Sequence, residues 1–406
     1  MAVTGSITTR FIDEKGVDLG KTLIEKDYLI SVYPNLLNQF DTPMLMTWGA
    51  NGYGQLGDNT IVNKSSPVQT IVYGANWKQV SECEGIGSGG NLFSGIKTDG
   101  TLWTWGINTY GQLGDNSTTK RSSPVQTVAG GTNWKQSSVG HYTTAAIKTD
   151  GTLWYWGYGG YGGDNTGTNR SSPVQTVAFG TNWKQVSVGR YHTSAVKTDG
   201  TLWCWGGNWS GELGDNTNNI TRRSPVQTIT FGTNWKQVDC GYQITAAIKN
   251  DGTLWCWGMN TYGELGDNTR TFRSSPVQTI AFGNNWKKVS CGYHHMAAVK
   301  NDGTLWTWGI NTSGQLGENT VTSRSSPIQT VAYGTNWRQV SAGTNSTGAI
   351  KTDGTLWCWG ANYVGQLGDN TITNRSSPVQ TILYGNNWKS VSVGVNCTAA
   401  IKDGDF

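Results

Sequence analysis

A Trp-Gly pair recurs through the chain at Trp48, Trp105, Trp156, Trp205, Trp257, Trp308 and Trp359, at intervals of 49 to 57 residues. Two further markers keep step with it. A proline falls at Pro67, Pro124, Pro173, Pro225, Pro276, Pro327 and Pro378, and the tryptophan of an Asn-Trp-Lys/Arg unit at Trp77, Trp134, Trp183, Trp235, Trp286, Trp337 and Trp388. Six more, Trp103, Trp154, Trp203, Trp255, Trp306 and Trp357, stand two residues before the tryptophan of a Trp-Gly pair, so of the 21 tryptophans only Trp209 lies outside the repeat. A chain that repeats one unit of about fifty residues folds as a stack or a ring of supersecondary units, none of which can bury its apolar face alone.

Each unit reads as four short strands. Between residues 101 and 150, TLWTWG (Thr101–Gly106) alternates, with Trp103 and Trp105 on one face and Leu102 and Thr104 on the other. A polar stretch rich in Gly, Asn and Asp follows, suited to tight turns. SPVQTVA resumes β-branched alternation with Pro124 at its start, where a strand tolerates proline. NWKQSSVG is the third strand, and TTAAIKTDG the fourth, ending in the Asp-Gly of a hairpin. No stretch within the repeats has a helical period.

Seven such units predict an all-β fold, a seven-bladed β-propeller of four-stranded antiparallel blades. A solenoid is the alternative, but a solenoid needs distinct polar caps. The first copy, PMLMTWG (Pro43–Gly49), lacks the AAIKTDG strand that precedes every other Trp-Gly, and CTAAIKD (Cys397–Asp403) is that strand with no Trp-Gly after it. Pairing the C-terminal strand with the first blade closes the ring and removes both edges. The small residues of the fourth strand, such as Ala145 and Ala146, are expected near the axis. The tryptophans are expected between blades, where large flat side chains bury much apolar area.

Composition bounds the rest. Glycine supplies 56 of 406 residues and charged residues only 14%, yet aromatics make up 11%, which a disordered chain would lack. The net charge of +4 gives no reason to expect nucleic acid as a partner. No apolar run is long enough to insert in a membrane, and the polar N-terminus is unlike a signal peptide. Cys204, Cys256 and Cys358 occupy a place that sister copies fill with Thr or Tyr, which makes it a packing slot rather than a ligand position.

The segments WGxNxxGQLGDN, RSSPVQ and GxxHTxAxKxDGTLWxWG resemble the repeat of the regulator-of-chromosome-condensation family. Trp105–Asn116, Arg121–Gln126 and Gly189–Gly206 carry the likeness, which extends over residues 43 to 406. The resemblance implies a seven-bladed propeller with circular closure. The family includes exchange factors, chromatin binders, inhibitors and interaction platforms, so the fold alone does not select a function. The third copy, YGGYGGDN (Tyr158–Asn165), lacks the Gln-Leu of the others, and the family's histidine occurs only at His192 and His295.

No catalytic or cofactor-binding residue and no metal ligand is expected. The four histidines form no metal-binding spacing, and the two GxGxxG matches, Gly85–Gly90 and Gly157–Gly162, open no helix. Asx-turns account for Asp58, Asp115, Asp164, Asp215, Asp267 and Asp369 without calcium. The basic residues before Ser-Pro (Arg121, Arg170, Arg223, Arg273, Arg324, Arg375) are expected to pair with acidic neighbours. Two sets of positions vary between copies. One follows the glycine of the third strand and offers His141, Tyr142, Arg190, Tyr191, His192, Tyr242, Tyr293 and His294 as candidate binding residues. The other follows Trp-Gly, as INTY (107–110), GNWS (207–210) and ANYV (361–364).

Residues 1–42 lie outside the repeat and read as an arm preceding the propeller of residues 43–406. Tyr28, Leu29, Ile30, Tyr33, Leu36 and Leu37 form its apolar patch, too short for a core of its own. The stretch Gly16–Leu36 resembles N-terminal arms of tailed-phage virion proteins. The expectation is therefore a non-enzymatic virion structural protein, a decoration or host-attachment module and part of a larger assembly. The arm would bind other virion proteins, and the propeller loops a host surface protein or glycan. The alternative is a soluble propeller regulator or inhibitor-like protein-binding module, exchange factors included.

Overall fold

The computed structural model describes residues 7–12 and 18–24 and, from 43 onward, all but 72–75, 83–90, 178–179, 230–231, 281–282, 332–333, 384 and 404–406. Seven four-stranded antiparallel sheets surround an axis. Blade 1 comprises Trp77–Glu82, Leu92–Lys97, Leu102–Gly106 and Arg121–Gln126, from the axis outward. Blades 2 to 6 repeat that order. Blade 7 takes Trp388–Val393 and Cys397–Lys402 from the C-terminal end, then Met44–Gly49 and Lys64–Gln69 from the N-terminal end. The closure expected from the offset of the first and last copies is this blade.

Two expectations are corrected. The unit framed as residues 101–150 straddles two blades, because its first two strands complete blade 1 and its last two begin blade 2. The innermost strand is the Asn-Trp-Lys strand, not the alanine-bearing one, which lies second. The sequence period fixes the count of strands but not which four share a ladder.

The axis strands are tied to one another side by side. Val139 N–H donates to Ser81 Oγ (3.4 Å), Val188 to Ser138 (3.0 Å), Cys240 to Ser187 (3.0 Å) and Cys291 to Asp239 Oδ2 (2.8 Å). Ala342 donates to Ser290 (3.0 Å), Val393 to Ser341 (3.0 Å) and Glu82 to Ser392 (2.9 Å), which completes the circle. One side chain per blade thus satisfies a backbone donor that the sheet's inner edge would leave unpaired. Asp239 replaces serine once. Lys288 stands in the neighbouring blade where five others carry a glutamine that bonds across to the next strand, as Gln79 does to Ser137.

The Trp-Gly tryptophans fill the layers between blades, as expected. Trp48, Trp105, Trp257, Trp308 and Trp359 are fully buried and donate Nε1–H to the carbonyls of Gln366, Gln55, Glu212, Glu264 and Gln315 in the preceding blade. The glycine of the pair is required by geometry. Gly106 has φ +106°, and a Cβ there would lie 2.0 Å from the Asn91 carbonyl oxygen. At the opposite end of blades 1 to 6 a lysine lies between two indoles; Lys249 Nζ is 5.0 Å from the Trp235 ring and 4.2 Å from Trp255. In blade 7 Lys402 lies over Trp388 alone, and Met46 stands in the place of the second indole.

The LGDN loops are Asx-turns, as read from sequence: Ser117 N–H donates to Asp115 Oδ1, and Asn116 takes the left-handed φ of +62°. Each basic residue pairs with the acid of its own loop, as Arg121 does with Asp115 (2.8 Å) and Arg324 with Glu318 (2.8 Å). In blade 3 the partner of Asp215 is Arg222, not Arg223: Arg222 pairs with Gly206 as Arg121 does with Gly106, three residues before the proline, and Arg223 holds the place of Ser122. The slot cysteines are buried as expected, and burial pushes the Cys204 thiol up to about 12.

In the arm, Ile7–Ile12 pairs with Asp18–Ile24 as an antiparallel two-stranded sheet. The arm candidates Tyr28, Leu29, Ile30, Tyr33, Leu36 and Leu37 lie outside the described residues.

Candidate functional site

Antiparallel order places two connections of every blade at the same end of the ring: the turn from innermost to second strand, and the loop from third to outermost. Both variable sets of the sequence therefore meet on one face. There the rings touch in an unbroken run. Tyr110 of blade 1 contacts Tyr142 of blade 2 (centroids 5.6 Å apart), and Tyr142 contacts Tyr191 of blade 3 (5.9 Å). Tyr191 contacts Trp209 (4.8 Å) and Tyr242 of blade 4 (5.6 Å), and Tyr242 contacts Tyr293 of blade 5 (4.2 Å). His294 lies against Tyr293 (4.2 Å) and Tyr262 (5.1 Å). The Arg190 guanidinium carbon sits 5.1 Å from the Tyr191 ring and 5.3 Å from Tyr242.

Six of the eight candidates, Tyr142, Arg190, Tyr191, Tyr242, Tyr293 and His294, belong to this run. His192 does not. It is 1% exposed, and its Nε2 reaches Thr245 Oγ1 of the next blade (2.8 Å). The Thr245 hydroxyl donates to the Glu212 carbonyl, so it accepts Nε2–H, and burial holds the His192 pKa at about 3. His192 is a core residue, and His295, bonded to Thr347 (2.9 Å), repeats the arrangement. His141 is also buried, against Tyr142 (4.2 Å), with its pKa lowered to about 4 by burial and then by Arg190.

Tyr110 and Trp209, from the variable set that follows Trp-Gly, complete the face together with Tyr158, Tyr161 and Tyr262; none of the five is among the eight binding residues offered by the first set. Trp209, the one tryptophan outside the repeat, was a signal available in the sequence; it is 42% exposed. Tyr158 and Tyr161 come from the third copy. Its loop is two residues shorter than that of the second and closes with a 3₁₀ turn at Gly159–Tyr161. That irregularity, read only as a departure from the repeat, adds two rings to the face.

Below the rings runs a second series. The residue after the loop glycine faces the residue before the second strand of the next blade: Gln55 Nε2 donates to Asn91 Oδ1 (2.9 Å), and His294 Nδ1 lies 3.0 Å from Glu264 Oε1. Glu212 occupies this place in blade 3 and accepts the backbone N–H of Ser210 (2.7 Å) and Trp209 (3.2 Å). Burial raises its pKa to about 7. Among the described residues no group of three or more His, Cys, Asp and Glu is placed to hold a metal ion, and no helix is long and apolar enough to cross a membrane.

A closed propeller with one face of locked aromatic rings defines a repeat-built binding scaffold. The chain belongs to the RCC1-like domain family: that family's model matches residues 163–405, and the model of the regulator of chromosome condensation (RCC1) repeat matches residues 99–147. It is 32% identical over 337 residues to the ultraviolet-B receptor UVR8 of Arabidopsis thaliana, covering 82% of this chain and 64% of the receptor. The mitochondrial RCC1 domain-containing protein RUG3 of the same plant is 28% identical over 80% of this chain and 79% of its own length. Among solved structures, yeast Prp20p superposes with a TM-score of 0.80 at 16% identity, covering 90% of this chain and 92% of that one. Human WBSCR16 gives 0.78 at 19% identity, over 90% of this chain and all of its own. These two likenesses show the propeller fold.

Proposed function

We propose that the chain is a non-enzymatic protein-binding module that docks a partner protein on its aromatic face. The unbroken run of rings from Tyr110 to Tyr262, with Arg190 stacked into it, carries this reading. Tyr, Trp and Arg are the residues most enriched at interface hot spots. Rings already held by their neighbours lose little side-chain entropy on docking. The family supports the reading in kind: yeast Prp20p is described with binding to Gsp1p and histones, both protein partners of that propeller.

The test is affinity capture on the full chain, followed by calorimetry with the purified partner. A protein retained by the wild type and by Val128→Ser, an exposed position beyond the outermost strand of blade 1, should be lost with Tyr191→Ser/Tyr242→Ser. A partner that the double variant binds unchanged places docking elsewhere.

The virion placement rests on the resemblance of Gly16–Leu36 alone, and no relative reported above supports it. It has a separate test in light scattering. If the arm is an assembly element, the full chain forms a larger species than a chain beginning at Asp41.

A further inference from the structure

On the loop face, but outside the aromatic run, blades 6, 7 and 1 enclose a cleft of about 360 Å³. Its walls include Tyr53, Gln55, Asn91, Asn345, Tyr363 and Asn396; among the described residues no Asp, Glu, Lys, Arg or His lines it, and the Lys120 ammonium lies 5.8 Å from the Tyr53 ring centroid. The volume lies within the range of small-molecule sites, about 300–1,000 Å³. The cleft arises because the pairs between neighbouring blades change character around the ring. In blades 2 to 5 the residues before the second strand are Tyr142, Tyr191, Gln243 and His294; at the cleft, in blades 1, 6 and 7, they are Asn91, Asn345 and Asn396.

The amides are only partly engaged. Asn91 Oδ1 accepts from Gln55 Nε2, and Asn396 Oδ1 accepts from the Tyr363 hydroxyl (3.0 Å). That leaves the N–H₂ donors of both asparagines, and the whole Asn345 amide, without a partner among the described residues. Gln315 and Gln366 hold the place in blades 5 and 6 that Gln55 holds in blade 7. Each has a buried Nε2 with no hydrogen-bond partner, where Gln55 has Asn91. Those two glutamines lie outside the cleft lining; within it, Asn345 and Asn396 are partly exposed, so their free amide groups are open to a ligand.

We infer that this cleft binds a neutral carbohydrate. Amides present a donor and an acceptor on one rigid plane, matching the adjacent hydroxyls of a pyranose ring. The Tyr53 and Tyr363 rings supply flat apolar surfaces for the C–H face of the sugar. With no ionisable group among the described lining residues, an acidic sugar, a phosphate or a charged peptide side chain would be desolvated there without a counter-charge, which favours a neutral ligand. The site is independent of the partner surface proposed above.

The probe is a panel of neutral hexoses, N-acetylhexosamines and their disaccharides, read by saturation-transfer NMR and calorimetry on the full chain. Binding of at least one neutral sugar is expected. Tyr363→Ala and Asn396→Ala should each weaken it by about tenfold or more, and Tyr191→Ser should leave it unchanged. Tyr363 is half exposed, so its variant keeps the fold, and a melting curve verifies this. No binding across the panel overturns the inference. So does binding that survives both cleft variants, equal binding of glucuronic or sialic acid, or loss of a protein partner instead of a sugar when Tyr363 is removed.

Discussion

Leu45 faces Ile401 across one antiparallel ladder, so the two ends of the propeller form a single blade. The strand Cys397–Lys402 lies between Trp388–Val393 and Met44–Gly49 and is hydrogen-bonded to both. A chain ending at Gly394 removes the middle of that blade and uncovers the layer around Trp48 and Trp388, whose rings are 6.1 Å apart. It is expected to lose cooperative melting and to aggregate. A truncated monomer that melts like the full chain would show that the ring does not depend on this closure.

Trp308 is fully buried and its Nε1–H meets the Glu264 carbonyl at 2.7 Å, whereas Trp209 is largely supported by surface rings. Trp308→Ala is expected to cost about 3–5 kcal/mol, and Trp209→Ala no more than about 0.5–1 kcal/mol. Denaturant melts decide this, and equal costs would remove the distinction between layer and face.

Glu212 is a buried acid whose pKa rises to about 7, in a place where Gln55, Gln112, Gln315 and Gln366 stand in other copies. The native state holds its proton more tightly than the unfolded chain, so folding is weakened as pH rises from about 4.5 to 7. Glu212→Gln should therefore raise the melting temperature above pH 7, with the gain disappearing below pH 4.5. A gain independent of pH would assign the effect to packing instead.

His192 and His295 have the opposite sign. Burial lowers both from 6.5 to about 3, so the unfolded chain protonates first on acidification. Each should remove about 1.4 kcal/mol of stability per pH unit between about 6.5 and 3, with full stability above that window. Replacing both by glutamine should flatten this limb of the pH–stability curve, as measured by melts from pH 3 to 8. An unchanged slope in the double variant would contradict the buried, neutral assignment.

Asp239 and Lys288 interrupt the axial rings together. Burial raises the Asp239 pKa to about 6 and lowers that of Lys288, which Asp239 partly restores. Asp239→Ser alone leaves Lys288 without its counter-charge, and Asp239→Ser/Lys288→Gln rebuilds the pattern of the other blades. The double variant is expected to be at least as stable as the wild type at pH 8, and more stable than the sum of its single changes. Additive single effects would mean that the two charges do not interact.

Much of this fold was legible. The spacing of Trp48 through Trp359 counts the blades, and the missing strand before Met44 with its counterpart at Cys397 gives the closure, because strand alternation and turn chemistry are local. The axial position of the Asn-Trp-Lys strand was not legible, since a period has no preferred origin. His192 misled for a related reason: a histidine beside variable tyrosines reads as surface, and only the strand's pleat turns it toward Thr245.

The sequence by itself determined how many units there are, what each contains and how the ends meet. Tertiary structure decided which rings touch. Tyr142, Tyr191, Tyr242 and Tyr293 lie about one repeat apart, and each is only an isolated aromatic along the chain. They become one surface because the ring brings equivalent turns of neighbouring blades within 6 Å, down to the 4.2 Å between Tyr242 and Tyr293. The cleft between Tyr53 and Tyr363 depends on the same geometry, since its walls come from both ends of the chain and meet only when blade 7 closes.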